Sequence, residues 1–164
     1  VGDIVSLMER LGELTGRQTH SLSQAAAFRA SFNASRETYS TRRQVSVFYQ
    51  VWEQPIYTLN GDHVISQLIS LCGGTNIFSD LKQLAPVVSL ESVLARDPEV
   101  IVGGGVFGQT PPWAERWQSW PTMRAVRNRH IYAVDSDHIA RMGPRLAEGV
   151  EALCLVIDKA RHSS

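Results

Sequence analysis

The sequence predicts an α/β fold, namely a three-layer Rossmann-like lobe with a mainly parallel sheet, preceded by a long helix. Three short runs rich in β-branched and aromatic residues, 45–51, 100–102 and 130–134, alternate with segments whose apolar residues have helical spacing. Parallel strands require crossover connections, usually helices, and these helices cover both faces of the sheet. With 164 residues, 43% of them hydrophobic, the chain can build one core of this kind.

Two helices are predicted before the first strand. A short amphipathic helix near the N-terminus is expected to end at Gly16. Ser21 and Gln24 form a capping-box pattern ahead of an alanine-rich segment, which predicts a longer helix over 21–39. The polar run 40–44 then marks the boundary with the body of the domain.

The elements after the first strand are predicted from helix-capping residues and from the prolines and glycines that interrupt helices and strands. Residues 52–57 are expected to form a loop, because Pro55 has no amide proton for a ladder. Ser89 is a good N-cap for a short helix over 90–96, and strand 100–102 runs directly into three glycines. The remaining predicted elements are helices over 61–72, over 111–120 and from about Pro144, and a polar turn over 135–137.

Composition excludes several classes of protein. The 16 basic and 16 acidic residues balance and the arginines are scattered, so no nucleic-acid partner is expected. Uninterrupted apolar stretches fall well short of the roughly 20 residues that cross a bilayer, so no direct membrane span is expected. The chain opens at Val1 without Met or a signal-like region, and we expect a processed or excised piece whose signal peptide is missing.

Motifs for chemistry are lacking in the sequence. No Gly-x-Ser-x-Gly elbow occurs, and the five histidines fall on separate elements without the short spacing of metal-ligand pairs. The glycine run 103–105 lacks both the GKS/T ending of a phosphate loop and the pattern of a dinucleotide fold. We therefore expect a binding protein, not an enzyme, with no metal site and no cofactor of its own.

A ligand cleft is predicted where the carboxyl ends of the parallel strands meet their loops. These loops are 52–59, 103–109 and 135–141. Exposed rings with a few polar groups suit a large, flat, amphipathic ligand, although rings in these positions can also simply cap the core. The candidate ligand-binding residues are Trp52, Tyr57, Phe107, Asp137, His138 and Arg141.

The two cysteines, Cys72 and Cys154, match no zinc, redox or haem-attachment spacing. The residues alone leave two alternatives open, which are a pair of buried thiols or one long-range disulfide. A disulfide would imply an oxidising compartment.

Several segments resemble one family throughout the chain. They are 45–58, the Cys-Gly-Gly-Thr-Asn-Ile-Phe run at 72–78, 88–102 and 137–145. Together they resemble the helical-backbone (type III) periplasmic substrate-binding proteins of ABC importers for vitamin B12, siderophores and haem. The cobalamin-binding branch is the most similar, although Ala85 stands where cobalamin binders can carry an aromatic residue.

This resemblance implies a division of the chain and a site. Residues 1–43 would be the end of an N-terminal lobe and the interlobe bridging helix, and residues 44–164 the C-terminal α/β lobe. The ligand, a cobalamin-like corrinoid or a ferric chelate, would lie between two lobes, with Tyr57 and Asp137 at family ligand positions. The protein would be periplasmic or lipid-anchored outside the cytoplasmic membrane. We also expect some self-association of the lobe on its own, because its cleft rings would face water.

The resemblance also implies roles for a carboxylate and for the cysteines. An exposed acidic residue on each lobe docks with arginines of the membrane permease subunits, and Glu91 falls at that position. A carboxylate in the first turn of a helix is also favoured by the helix dipole alone. Cys72 and Cys154 fall where some members carry a disulfide.

An alternative from another class stays open at this point. The chain could belong to a relative that binds a metal ion or metal chelate, or to an α/β enzyme whose reactive residues lie in the missing lobe. Stoichiometric metal in protein purified from its native compartment would favour that alternative.

Overall fold

The computed structural model describes residues 18–39, 41–140 and 146–162, together with the isolated positions 6, 10 and 14. The helices are α1 (Gln18–Tyr39), α2 (Val64–Leu71), α3 (Leu90–Arg96), α4 (Ala114–Trp117), α5 (Arg124–Arg127), α6 (Ser136–Ala140) and α7 (Leu146–Arg161). The strands are β1 (Val45–Gln50), β2 (Trp52–Glu53), β3 (Ile56–Tyr57), β4 (Gly74–Asn76), β5 (Val100–Gly104) and β6 (Ile131–Val134).

Four of these strands form one parallel sheet in the order β4-β1-β5-β6. Val47 pairs with Val100 across β1 and β5, and Ile101 pairs with Ile131 across β5 and β6. The predicted α/β class and the parallel sheet are confirmed.

Alternate residues of the strands enter two separate cores, which explains the three layers. Val45, Val47 and Tyr49 pack with α1, α2 and α7 on one face of the sheet. Phe48 and Ile101 point to the opposite face, where they pack with residues of α3, α4 and α5. Successive side chains of a strand point to opposite faces, so these strands are apolar at nearly every position.

The loop prediction for residues 52–57 was wrong. This segment forms a two-stranded antiparallel ribbon in which Trp52 pairs with Tyr57 and Glu53 with Ile56. Pro55 lies in the turn between the two strands, after a cis peptide bond with Gln54. A turn position requires no ladder hydrogen bond, so the missing amide proton does not prevent the ribbon.

Two further elements differ from the sequence predictions. Residues 74–76, for which no strand was predicted, form the edge strand β4 beside β1. Residues 136–140, expected to begin in a polar turn, form helix α6, where Asp135 Oδ1 accepts a hydrogen bond from the Asp137 amide. The predicted helix that ends at Gly16 and the predicted helix start at Pro144 lie outside the described residues, apart from isolated positions.

Helix α1 is already helical at Gln18, before the predicted start at Ser21. Its side chains Ala25, Phe28 and Phe32 are buried in the same core as α2 and α7. Their spacing of three and four residues places them on one helix face. None of the described helices is long and apolar enough to cross a membrane.

Arg161 at the end of α7 joins three parts of the fold. Its guanidinium group is almost fully buried and donates hydrogen bonds to the carbonyls of Arg43, Cys72 and Gly73. It also forms an ion pair with Asp158. These contacts connect the ends of α2 and α7 to the segment that enters β1, close to the disulfide between Cys72 and Cys154.

The disulfide is expected to contribute strongly to stability. Cys72 and Cys154 are fully buried and 82 residues apart in sequence, so the bond restricts a long loop of the unfolded chain. We expect the C72A/C154A variant to lose about 4 kcal/mol of unfolding free energy, measured by urea denaturation. Denatured, unreduced protein should show no titratable thiol. Two thiols, or a double variant within about 1 kcal/mol of the parent, would contradict this prediction.

Two histidines favour the folded state in their neutral form. Burial lowers the pKa of His130, and the charge of Glu99 opposes this shift. Its Nδ1 lies 2.9 Å from the Tyr132 hydroxyl, and its Nε2 has no hydrogen-bond partner among the described residues. Burial also lowers the pKa of His63. His63 is the N-cap of α2, and its Nδ1 accepts a hydrogen bond from the amide of Ile65.

Stability is therefore expected to fall as the solution is acidified. Because the folded pKa values of His130 and His63 lie below the unfolded value of 6.5, their contribution is complete above pH 6.5 and is lost as pH falls through the lowered values. Urea denaturation at pH 7.5 and 5.5 should reveal this loss, and His130→Gln should reduce it. His162→Gln, at an exposed imidazole, is the control. An equal reduction in both variants would contradict the assignment.

Candidate functional site

The candidate site lies at the edge of the sheet where the strands end. Because β1, β5 and β6 are parallel neighbours, their last residues, Gln50, Gly104 and Val134, lie along one edge. Strands in a sheet are about 4.8 Å apart, so the chain segments that leave β1 and β6 start roughly 10 Å from each other. The three predicted cleft loops thus emerge side by side.

The β2–β3 ribbon presents two aromatic rings at this edge. Trp52 is 63% exposed and Tyr57 is 37% exposed, and the two residues face each other across the ribbon. Thr58 anchors the ribbon, since its buried hydroxyl donates a hydrogen bond to the carbonyl of Tyr49 at 2.8 Å. Large rings held outward on an anchored ribbon are typical of an interaction surface.

A first cavity of about 320 Å³ opens between this ribbon and the start of α4. The carboxyl ends of β1 and β5 form its floor. Its lining residues are Gln50, Val51, Trp52, Glu53, Gly104, Pro112 and Trp113. Gln50 is buried, and its side-chain oxygen accepts a hydrogen bond from the Trp117 indole at 2.8 Å. The floor is therefore polar but already hydrogen-bonded.

Trp113 is a cavity residue that the sequence analysis assigned only to a helix. Its indole Nε1 donates a hydrogen bond to the carbonyl of Gly104 at 2.9 Å, which fixes the ring over the end of β5. In the sequence, its place after two prolines fits a helix start as well as a cleft wall. The glycine run that precedes it was the signal that a ring could approach the backbone.

A second cavity of about 330 Å³ lies between the β5–α4 loop, α6 and α7. Phe107 and His138 both line it, together with acidic and apolar residues. The other lining residues are Asp135, Glu148, Gly149, Glu151, Ala152 and Leu155. The His138 ring lies between two carboxylates, with Nε2 3.9 Å from Asp135 and Nδ1 3.8 Å from Glu148.

Four of the six predicted ligand residues thus form two pairs. Trp52 and Tyr57 are neighbours on the ribbon, whereas Phe107 and His138 meet at the second cavity. Asp137 is exposed in the first turn of α6, on the same edge of the sheet. Arg141 lies outside the described residues. Within the described residues, no cluster of three or more His, Cys, Asp or Glu side chains could hold a metal ion.

Glu91 is exposed in the first turn of α3. Its own backbone amide and the Ser89 hydroxyl lower the pKa of its carboxyl group, so it is ionised at neutral pH. The segment before α3 runs beside the ribbon: Val87 forms an isolated antiparallel bridge with Tyr57, and the Val88 amide donates to the carbonyl of Ile56 at 3.0 Å. The start of α3 is therefore at the same end of the lobe as the exposed rings.

Known proteins resemble this chain along nearly its full length. A vitamin B12-binding protein from Vibrio campbellii is 34% identical over 160 residues, which are 97% of this chain and 57% of that protein. The crystal structure of the periplasmic vitamin B12 binding protein of Vibrio cholerae is 31% identical, with a TM-score of 0.85 over 97% of this chain and 62% of that chain. The chain thus spans little more than half the length of the relatives that it matches.

A more distant structure shares the fold. A protein of Staphylococcus epidermidis described as a possible iron-binding, periplasmic solute-binding protein has a TM-score of 0.80 at 23% identity, covering 95% of this chain and 62% of that chain. The family model for periplasmic binding proteins matches residues 2–138. These findings confirm the resemblance drawn from the sequence segments: the chain belongs to the periplasmic binding protein family.

Proposed function

We propose that this chain is the C-terminal part of a two-lobed substrate-binding protein of an ABC importer. Residues 44–164 would form its C-terminal lobe, and residues 1–43 the end of the N-terminal lobe with the bridging helix. The observation that carries the proposal is the pair of exposed rings, Trp52 and Tyr57, beside open cavities at the carboxyl edge of the sheet. The coverage of the relatives supports it, since this chain matches little more than half of each.

The proposed ligand is a cobalamin-like corrinoid, or a ferric siderophore or haem. Two vitamin B12-binding relatives above 30% identity support the corrinoid. Stacking and apolar burial against the rings would supply the affinity. Asp137 and His138 would orient the polar edges of the ligand, with Arg141 beside them in the sequence.

The proposed location is outside the cytoplasmic membrane, either periplasmic or lipid-anchored. The disulfide between Cys72 and Cys154 supports this, because disulfides persist in oxidising compartments. The membrane permease subunits would be the partner that accepts the ligand.

A ligand panel tests the proposal on the longer, two-lobed protein. Calorimetry against cobalamin, cobinamide, haem and a ferric hydroxamate siderophore should detect binding of at least one, and the recovered ligand should be chemically unchanged. Tyr57→Ala should weaken that binding about tenfold, because a stacked ring contributes roughly 1 kcal/mol or more. Tyr57→Phe, which keeps the ring, should bind within about twofold. Absence of binding by all four compounds would refute the proposal, and stoichiometric metal without a chelate would favour a metal-binding relative.

Docking through Glu91 is a separate prediction. In proteoliposomes that contain the importer, Glu91→Lys should weaken functional docking of the loaded protein by roughly fivefold, because an exposed ion pair contributes up to about 1 kcal/mol. The readout is the concentration that half-maximally stimulates ATP hydrolysis. Glu37→Lys makes the same change at an exposed position on α1 and should have no effect. Equal effects of both variants would show that only net charge matters.

A further inference from the structure

The first cavity has two indole side chains among its lining residues. Trp52 enters it from the ribbon and Trp113 from the start of α4. Trp52 is 63% exposed, although an indole is among the largest apolar groups that a protein can bury. Trp113 is half-buried, so both rings have surface that a guest molecule can contact.

The backbone beneath Trp113 leaves no room for a side chain. A Cβ atom on Gly103 would lie 2.6 Å from Cζ2 of the Trp113 ring and 2.9 Å from the carbonyl oxygen of Gln50. Any larger residue would have to push the indole off the end of β5. Together with the hydrogen bond to Gly104, this close contact holds the ring in one position.

The two walls of the cavity are also tied to each other. Arg116, on α4, donates a hydrogen bond of 2.8 Å to the carbonyl oxygen of Glu53 on the ribbon. The Val51 amide donates to the carbonyl of Tyr57 at 2.9 Å and closes the base of the ribbon. The distance between the walls is thus set by bonded contacts, and the opening is formed before a ligand enters.

The size and lining of the opening limit what it can take. An apolar cavity of about 150 Å³ accepts one benzene-sized ring, so 320 Å³ holds one or two fused rings but not a whole corrinoid or haem. The walls include both indole side chains, whereas the polar floor atom of Gln50 is already bonded to Trp117. A flat conjugated edge fits these features better than a globular, oxygen-rich chelate.

We propose that the Trp52–Trp113 cavity is a subsite for the planar conjugated edge of the ligand, and that it makes the protein select corrinoids or porphyrins over ferric hydroxamates. The inference rests on the proposed binding function and specifies its ligand class. Trp52 and Trp113 contact the ligand, and Gly103 positions Trp113.

Calorimetry on the longer, two-lobed protein tests this selectivity with cobalamin, haemin and a ferric hydroxamate as probes. The parent should prefer one of the planar ligands by at least tenfold. Trp52→Ala and Trp113→Phe should each weaken binding of that planar ligand about tenfold, as expected for a lost or shifted stacking partner. Any hydroxamate binding should change less than twofold. Trp120→Phe makes the matched change at an indole that packs on Trp117 outside the cavity, and should bind like the parent.

Gly103→Ala provides a variant that keeps both indoles. It should reproduce the Trp113→Phe loss, because the new methyl group displaces the ring. Circular dichroism and thermal unfolding identify a variant that fails to fold, and Trp52→Ala, at an exposed site, then still decides. Planar-ligand binding by Trp52→Ala within twofold of the parent, or parent selectivity for the hydroxamate, would overturn the subsite while leaving the proposed function intact. Failure of these three probes and of cobinamide to bind the parent would instead refute the proposed function.

Discussion

The parallel pairing of β1 with β5 determines where everything else in the lobe lies. Residues 47–50 pair with 100–103, and this register places the amino ends of both strands at one edge of the sheet and the carboxyl ends at the other. Each connection between parallel strands must return across a face of the sheet, so helices cover both faces. The two edges at which the strands begin and end differ in the side chains that they carry.

The amino edge is closed by charged groups. Glu99, at the entry to β5, accepts hydrogen bonds from the amide and hydroxyl of Ser46 and forms an ion pair with Arg43. These contacts overcome its partial burial and lower the pKa of its carboxyl group. Arg124 binds Asp97 next to it. Polar groups here find partners within the protein, whereas the carboxyl edge exposes the aromatic rings of Trp52, Tyr57 and Phe107.

The sequence predicted the parts of the fold that are determined locally. The β-branched run 45–51 has the composition of a buried strand, and Ser89 caps α3 through its hydroxyl as expected. Strand β4 could not be predicted, because Gly-Thr-Asn has little strand propensity and is extended only through its pairing with β1. Gly74 is required there by packing, since a Cβ atom would lie 2.8 Å from Ile69 and 2.9 Å from Val47.

The sequence could predict where the candidate site lies, but not which of its side chains lie next to each other. The rings on loops after strands were expected at the carboxyl edge, where the structure has them, because that inference needs only the strand direction. Which rings share a cavity depends on distances that no local pattern encodes. Trp52 and Trp113 line the same cavity because the ribbon folds back at Pro55 and Arg116 binds Glu53, and Phe107 and His138 line another cavity beside α7.

The size of the two cavities limits how much of a ligand the proposed binding surface can cover. Each is about 320–330 Å³, near the lower limit of a small-molecule pocket, and both open outward at the same edge. Ligand sites usually cover most of the surface of their guest, and an edge that offers two shallow cavities can cover only one side of a macrocycle. A corrinoid or haem held here would need a second wall facing this edge. In the two-lobe proposal, helix α1, which packs on the core through Phe28 and Phe32, connects this part of the protein to the lobe that would supply that wall.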